Sequence, residues 1–323
     1  MGLAQLRLSM LATMTIIIGL STLVLTAIML YFGVFNIIVV GILVVVINVL
    51  QWLFAPYLLG AVYRIRKISS TENPQLNQIV NNLSQKCHIK APQLMLAQVP
   101  VPNAFAYGSP LTGSRVAVTP GLLSTLNIDE VEAVLGHELG HLRHKDVQVM
   151  MAVSALPSIF MYLGYSLMWS GMFSSGGSGG RGRSGGGNGN GAVIGIALMA
   201  FSYLLTFFTL WLSRVREYFA DRNSVQVVDN GAWKLSTALA KIANYKKPAR
   251  GKPNGVSAFK CLFITDPGDT SQVSRSLDAS YMVQELLNKK LTTGDKVVEA
   301  FSTHPNMTKR LRALQQLSQN PNA

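Results

Sequence analysis

The sequence predicts a mostly α-helical membrane protein with a small β element and about four transmembrane helices. Three observations carry that expectation. Hydrophobic residues make up 49% of the 323-residue chain and charged residues only 13%, against roughly 25% charged in an average soluble protein. Four apolar runs are free of charge and of a length suited to roughly 30 Å of hydrocarbon. The charge is also segregated: residues 1–63 carry one charged side chain, Arg7.

The runs are Met10–Phe32, Phe35–Ala61, Val147–Trp169 and Ala192–Leu212. The short link at Gly33-Val34 makes the first two a helical hairpin. A cleaved signal peptide is the alternative for the first run, but no small-residue cleavage site with a polar start follows it. Pro157 lies inside the third run. Between the third and fourth lies 174–191, rich in Gly, Ser and Asn, which reads as a flexible linker without a core.

The polar stretch 64–146 supplies the β element. Pro74–Cys87 reads as a helix. Leu94–Tyr107 and Arg115–Thr119 read as short strands, with Gly108, Pro110 and Gly113 at the turn. A helix is predicted from Asn127 to about Lys145. Asn127 caps it, Glu130 completes a capping box, and Val131, Val134, Leu135 and Leu142 form an apolar stripe. The fourth run continues as a helix through Ser224. Further helices are predicted at 232–244, 279–291 and 306–318.

The net charge of +13 admits nucleic acid as a partner in principle. The basic residues are scattered, however, and no groove-reading motif accompanies them. A basic face beside an anionic leaflet, with Lys and Arg at cytoplasmic span ends, accounts for the charge. Cys87 and Cys261 form neither a disulfide framework nor a Cys-x-x-Cys pair, and read as free thiols in a reducing compartment.

Three of the five histidines stand at 137, 141 and 144. His137 and His141 are four apart, share one helix face and can hold one metal ion. Glu138, one step round, is placed to polarise a water held by that ion. His144 shares the face, but seven residues rise about 10.5 Å and zinc–nitrogen bonds are about 2.0–2.1 Å. One ion therefore does not reach both His137 and His144. Glu217 is the best candidate for a third ligand. Asp221 follows at i+4, where a carboxylate can accept a proton from a ligand imidazole. The alternative reading of Glu217 and Asp221 is an exposed acidic pair among arginines.

Four blocks together resemble the HtpX family of membrane zinc metallopeptidases, relatives of the CAAX-processing Ste24 proteases. They are Pro102-Asn103-Ala104-Phe105-Ala106-Tyr107-Gly108, Gly136-His137-Glu138-Leu139-Gly140-His141, Arg216-Glu217-Tyr218-Phe219-Ala220-Asp221, and Ser302-Thr303-His304-Pro305 followed by Arg310. They occur in the family's order, and only the Gly-rich tract lacks a counterpart. The resemblance implies a gluzincin-type zinc metalloprotease domain with Glu217 as third ligand. It also implies a multi-pass location in the cytoplasmic membrane and a part in membrane-protein quality control under stress.

The expected site is thus one Zn²⁺ per chain on His137, His141 and Glu217, with Glu138 as general base and Asp221 behind a ligand. Asn103, Ala104 and Phe105 are expected to form an edge strand that pairs with an extended substrate. His304 is expected to stabilise the oxyanion or to belong, with Pro305, to a helix-start packing motif. Arg310 is expected to hold that segment or the substrate backbone. The expected partners are polypeptides, misfolded membrane proteins among them, and the lipid bilayer.

The expected organisation is a transmembrane hairpin at 1–63, a first catalytic part at 64–146, a second hairpin at 147–212 and a second catalytic part at 213–323. The basic clusters at span ends place the catalytic parts in the cytoplasm. Alternatives are a Ste24-like prenyl-peptide protease, for which four runs are few, and a non-catalytic zinc scaffold, which has no use for Glu138. A transporter is disfavoured because the runs lack ionisable groups.

Overall fold

The computed structural model describes residues 37–174, 190–245 and 279–319. The run Met10–Phe32, positions 175–189 of the Gly-rich tract, and Cys261 lie outside the described residues. Among those described, three helices are long and apolar enough to cross a membrane: Ile42–Val62, Asp146–Trp169 and Gly191–Val227. They belong to α1 (Ile37–Val62), α5 (Asp146–Ser174) and α6 (Asn190–Val227). By contacts the described residues form two compact units, one from 37–51 with those of 150–209, the other from Trp52–Val149 with those from 210 onward.

In the first unit α5 and α6 pack antiparallel. Ser202 Oγ donates to Pro157 O at 2.7 Å, and Phe160 meets Phe201 edge-on with ring centroids 5.0 Å apart. Gly164 and Gly195 lie at the closest approach, where a Cβ on either would strike the backbone of the facing helix. Small residues of this kind let membrane helices pack backbone to backbone.

The second unit holds a four-stranded sheet in the order β1-β2-β4-β3, formed by β1 (Arg66–Lys67), β2 (Gln93–Leu96), β3 (Ala104–Ser109) and β4 (Gly113–Val118). The expected single strand over Leu94–Tyr107 is two strands. Pro100 and Pro102 have no N–H for a ladder, and the chain between them crosses over. As a result β2 runs parallel to β4 while β3 pairs antiparallel with β4 from the outside. Thr119 ties the crossover down, its Oγ1 accepting from Asn103 N at 2.9 Å and from Leu122 N at 3.1 Å. Gly108 is required in the hairpin, since a Cβ there would run into Gly113 O.

Helices α2 (Pro74–Lys86), α4 (Ile128–Arg143), α7 (Gly231–Asn244), α8 (Ala279–Asn288) and α10 (Met307–Gln319) surround one core. Two short helices were not foreseen, α3 (Pro120–Thr125) and α9 (Thr293–Ala300). Each starts at a threonine cap. The opposite sheet face packs Phe105 and Tyr107 against Leu59 and Tyr63 of α1, so the end of the second apolar run covers a sheet. Pro305 does not lie in the first turn of a helix: α10 begins at Met307.

Candidate metal centre

The capping box that starts α4 is present. Asn127 Oδ1 accepts from Glu130 N at 2.8 Å and Glu130 Oε2 accepts from Asn127 N at 2.9 Å. Val131, Val134, Leu135 and Leu139 fill the core, with Leu139 rather than Leu142 completing the buried stripe. That orientation turns His137 toward α6 and Glu138 toward β3, both of them buried.

Gly136 and Gly140 explain how close α6 comes. A Cβ on Gly136 would sit 3.0 Å from Val228, and one on Gly140 would sit 3.0 Å from Ala220 Cα. Across this contact Asn223 Nδ2 donates to Gly136 O at 2.8 Å, and Ser224 Oγ donates to Ala133 O at 2.7 Å. Two side chains of α6 are thus bonded to carbonyls of α4, which fixes Glu217 opposite the two histidines.

His137 Nε2 and His141 Nε2 lie 3.3 Å apart. Glu217 directs Oε1 to His141 Nε2 at 3.5 Å and Oε2 to His137 Nε2 at 3.7 Å. One ligand atom from each of the three residues lies within 4.8 Å of the others. Around a tetrahedral ion with bonds of roughly 2.0–2.2 Å, ligand atoms stand about 3.3–3.6 Å apart. The two nitrogens and the carboxylate fit that geometry, and His144 does not join them. It is exposed at the C-cap of α4, with its ring 6.0 Å from Phe219. Partial desolvation of its ring, followed by neighbouring cations, keeps its pKa below the usual histidine value.

Each histidine has a carboxylate behind it. His137 Nδ1 is 2.9 Å from Asp221 Oδ1. His141 Nδ1 is 2.6 Å from Asp146 Oδ2. Asp146 in turn meets Arg216 Nε at 3.0 Å. Such partners fix a ring's tautomer and orientation and raise its basicity. Sequence reasoning singled out Asp221 but missed Asp146, which stands five residues after His141, just past the end of the helix. No periodic rule links the two positions.

Arg310 is fully buried. It grips Asp221 with two nitrogens, Nε at 2.9 Å and Nη2 at 2.5 Å, and reaches Glu217 Oε2 with Nη1 at 3.2 Å. Burial alone would depress its pKa, but the carboxylates of Asp221 and Glu217 outweigh that and hold it above the ordinary arginine value. His304 Nδ1 stands 3.2 Å from Glu217 Oε2. Arg214 Nη1 donates to Glu299 O, Ala300 O and Ser302 O at 2.9–3.2 Å, closing the C-terminus of α9 and anchoring the segment that carries His304.

Glu138 is 3% exposed, and its Oε2 accepts from Ala106 N at 2.8 Å. Residues of an antiparallel strand direct their main-chain groups to alternate sides. Ala106 faces away from β4, so Ala104 and Gly108 do as well, and β3 is the sheet's outer strand. Asn103 and Phe105 point their main chain inward, and both side chains are buried.

A model described as Peptidase family M48 matches residues 70–318. The chain belongs to peptidase family M48. It is 38% identical over 283 residues to a protease HtpX homolog of Thermoplasma acidophilum, covering 84% of this chain and 83% of that protein. It is 35% identical over 300 residues to protease HtpX homolog 2 of Saccharolobus solfataricus, covering 89% and 88%. The crystal structure of S. mikatae Ste24p shares the fold with a TM-score of 0.58 at 16% identity, over 96% of this chain and 67% of that one. The chain is accordingly an HtpX-like M48 metallopeptidase, a hydrolase of polypeptides, and its apolar helices make it a membrane protein. The His137–His141–Glu217 cluster is its possible metal site.

Proposed function

We propose that this M48 peptidase is a zinc-dependent endopeptidase acting on misfolded membrane proteins from the cytoplasmic face of the cell membrane. The observation that carries the reading is the convergence of two imidazole nitrogens and one carboxylate at metal-ligand spacing, with Glu138 on the same helix as the imidazoles. Borderline-soft zinc suits a His₂Glu set, and three protein ligands leave a fourth position open, as in catalytic rather than structural sites.

His137, His141 and Glu217 would hold the ion, which when bound supplies Lewis acidity. Asp221 and Asp146 keep the Nδ1 protons of His137 and His141 pointed away from it. Glu138 has one oxygen on Ala106 N–H and keeps the other for proton transfer. It takes a proton from the attacking water and gives one to the leaving amine. Arg310 balances the negative charge of Glu217 and Asp221. His304, beside Glu217, is the side chain nearest to hand for the oxyanion. The open edge of β3 accepts the substrate main chain.

The cytoplasmic assignment rests on Arg64, Arg66 and Lys67 after α1, Arg143 and Lys145 before α5, and Arg214 and Arg216 in the polar part of α6. A shared site for His141 and Glu217 also requires the intervening chain to cross the membrane an even number of times. The test is digestion of casein by the purified protein with and without chelator, beside Glu138→Gln. Chelator-resistant digestion, or restoration by other divalent ions but not by zinc, would sink the zinc reading.

A further inference from the structure

We propose that a cleft at the end of β3 is a specificity subsite for one substrate side chain, about two residues from the scissile bond, and that it selects uncharged side chains. The cleft has a volume of about 260 Å³ and is bordered by Trp52, Tyr107, Gly108, Leu142, Val147 and Gln148 among others. The inference deepens the protease reading and rests on it.

Its place relative to the reacting centre follows from one hydrogen bond. Glu138 Oε2 and Ala106 N mark the point where α4 and the open edge of β3 meet. From there the strand advances two residues to Gly108, roughly 6.6–6.8 Å. The helix advances four residues to Leu142, about 6 Å. Both endpoints line the cleft, so it opens one strand repeat, or two residues of extended peptide, from the catalytic carboxylate. A peptide laid along the free edge delivers a side chain there without bending.

The lining decides what that side chain is. None of the residues bordering the cleft is charged, so a charged group entering it would lose hydration without gaining a partner. Gln148 lines it with a neutral amide. The volume falls below the roughly 300–1,000 Å³ of pockets that hold whole small molecules. That favours one side chain over a lipid headgroup.

The test uses the full-length protein in detergent with unfolded casein and a mixed peptide library, cut sites being read by mass spectrometry. For the wild type, Asp, Glu, Lys and Arg should be depleted at a single position about two residues from the cut. Gln148→Glu should enrich Lys and Arg at that position about five-fold or more, and Gln148→Lys should enrich Asp and Glu there, because an unlike charge close by is attracted strongly in a cleft.

Unchanged residue preferences in both variants would overturn the subsite. So would a response spread over many positions. A lipid occupant would leave the preferences untouched and alter how activity depends on vesicle composition, which also overturns it. Equal cleavage by wild type and Glu138→Gln, or none by either, would overturn the catalytic reading instead.

Discussion

His141 Nδ1 and Asp146 Oδ2 lie 2.6 Å apart, and the same carboxylate meets Arg216. A residue at the first turn of an apolar helix therefore sets the ring that faces Glu217. Asp146→Asn should weaken zinc binding about 10- to 100-fold, measured by competition with a chromophoric chelator. An unchanged affinity would show that the contact does not orient His141.

Glu138→Gln should retain wild-type zinc content and lose proteolysis by about 10²- to 10⁴-fold, the usual contribution of a general base. Metal analysis beside casein digestion separates the two properties. Cleavage at a comparable rate would remove Glu138 from the chemistry.

Glu217→Ala should lower zinc occupancy, and His144→Ala should leave it unaltered. Glu217 presents its oxygens 3.5 and 3.7 Å from the two imidazoles, whereas His144 is exposed at the helix end. The reverse ranking by metal analysis would refute the third-ligand assignment.

Arg310→Met should destabilise the protein by about 3–5 kcal/mol, because it strands two buried carboxylates without their cation. Arg310→Lys should recover part of the loss, since one ammonium keeps the charge but not the two-pronged grip on Asp221. Thermal unfolding of the zinc-depleted protein reads both. A melting temperature for Arg310→Met equal to wild type would mean that Asp221 and Glu217 do not depend on it.

Gly140→Ala should lower activity several-fold, even though alanine favours helix by about 1 kcal/mol. Its Cβ would press on Ala220 Cα at 3.0 Å and push α6, with Glu217, away from the histidines. Gly60→Ala, where a Cβ meets nothing within 4 Å, is the control. Equal activity in both variants would mean that α6 yields without moving the site.

Sidedness is tested by impermeant thiol labelling of single cysteines at Ser184 and Ser257 in a cysteine-free background. Labelling from outside at 184 alone is the expected result. Labelling from outside at 257 would invert the topology. No outside labelling at 184 would favour a third and fourth run that do not cross.

By itself the sequence determined what depends on residues close along the chain. His137, Glu138 and His141 share a helix because 3.6 residues make a turn. Asn127 and Glu130 cap that helix because they are three apart. The apolar runs at Val147–Trp169 and Ala192–Leu212 coincide with α5 and the apolar part of α6 because burial in lipid needs no distant partner. Glu217 and Asp221 were legible as a pair at i+4 and Glu217 as the best candidate for a third ligand, while the exposed acidic pair stayed open until the family's motif pointed to the metal.

Tertiary structure decided the rest, because it depends on groups brought together from distant segments. The parallel pairing of β2 with β4 hinges on a crossover that no alternation of apolar residues announces. Gly136 and Gly140 look like weak points in a helix until α6 is seen packed on them. Asp146 and Arg310 carry no local signal of their targets. Burial in a water-poor centre leads Glu217, Asp221 and Asp146 each to an imidazole and an arginine, and only the packing of α4, α6 and α10 settles which partner each one takes.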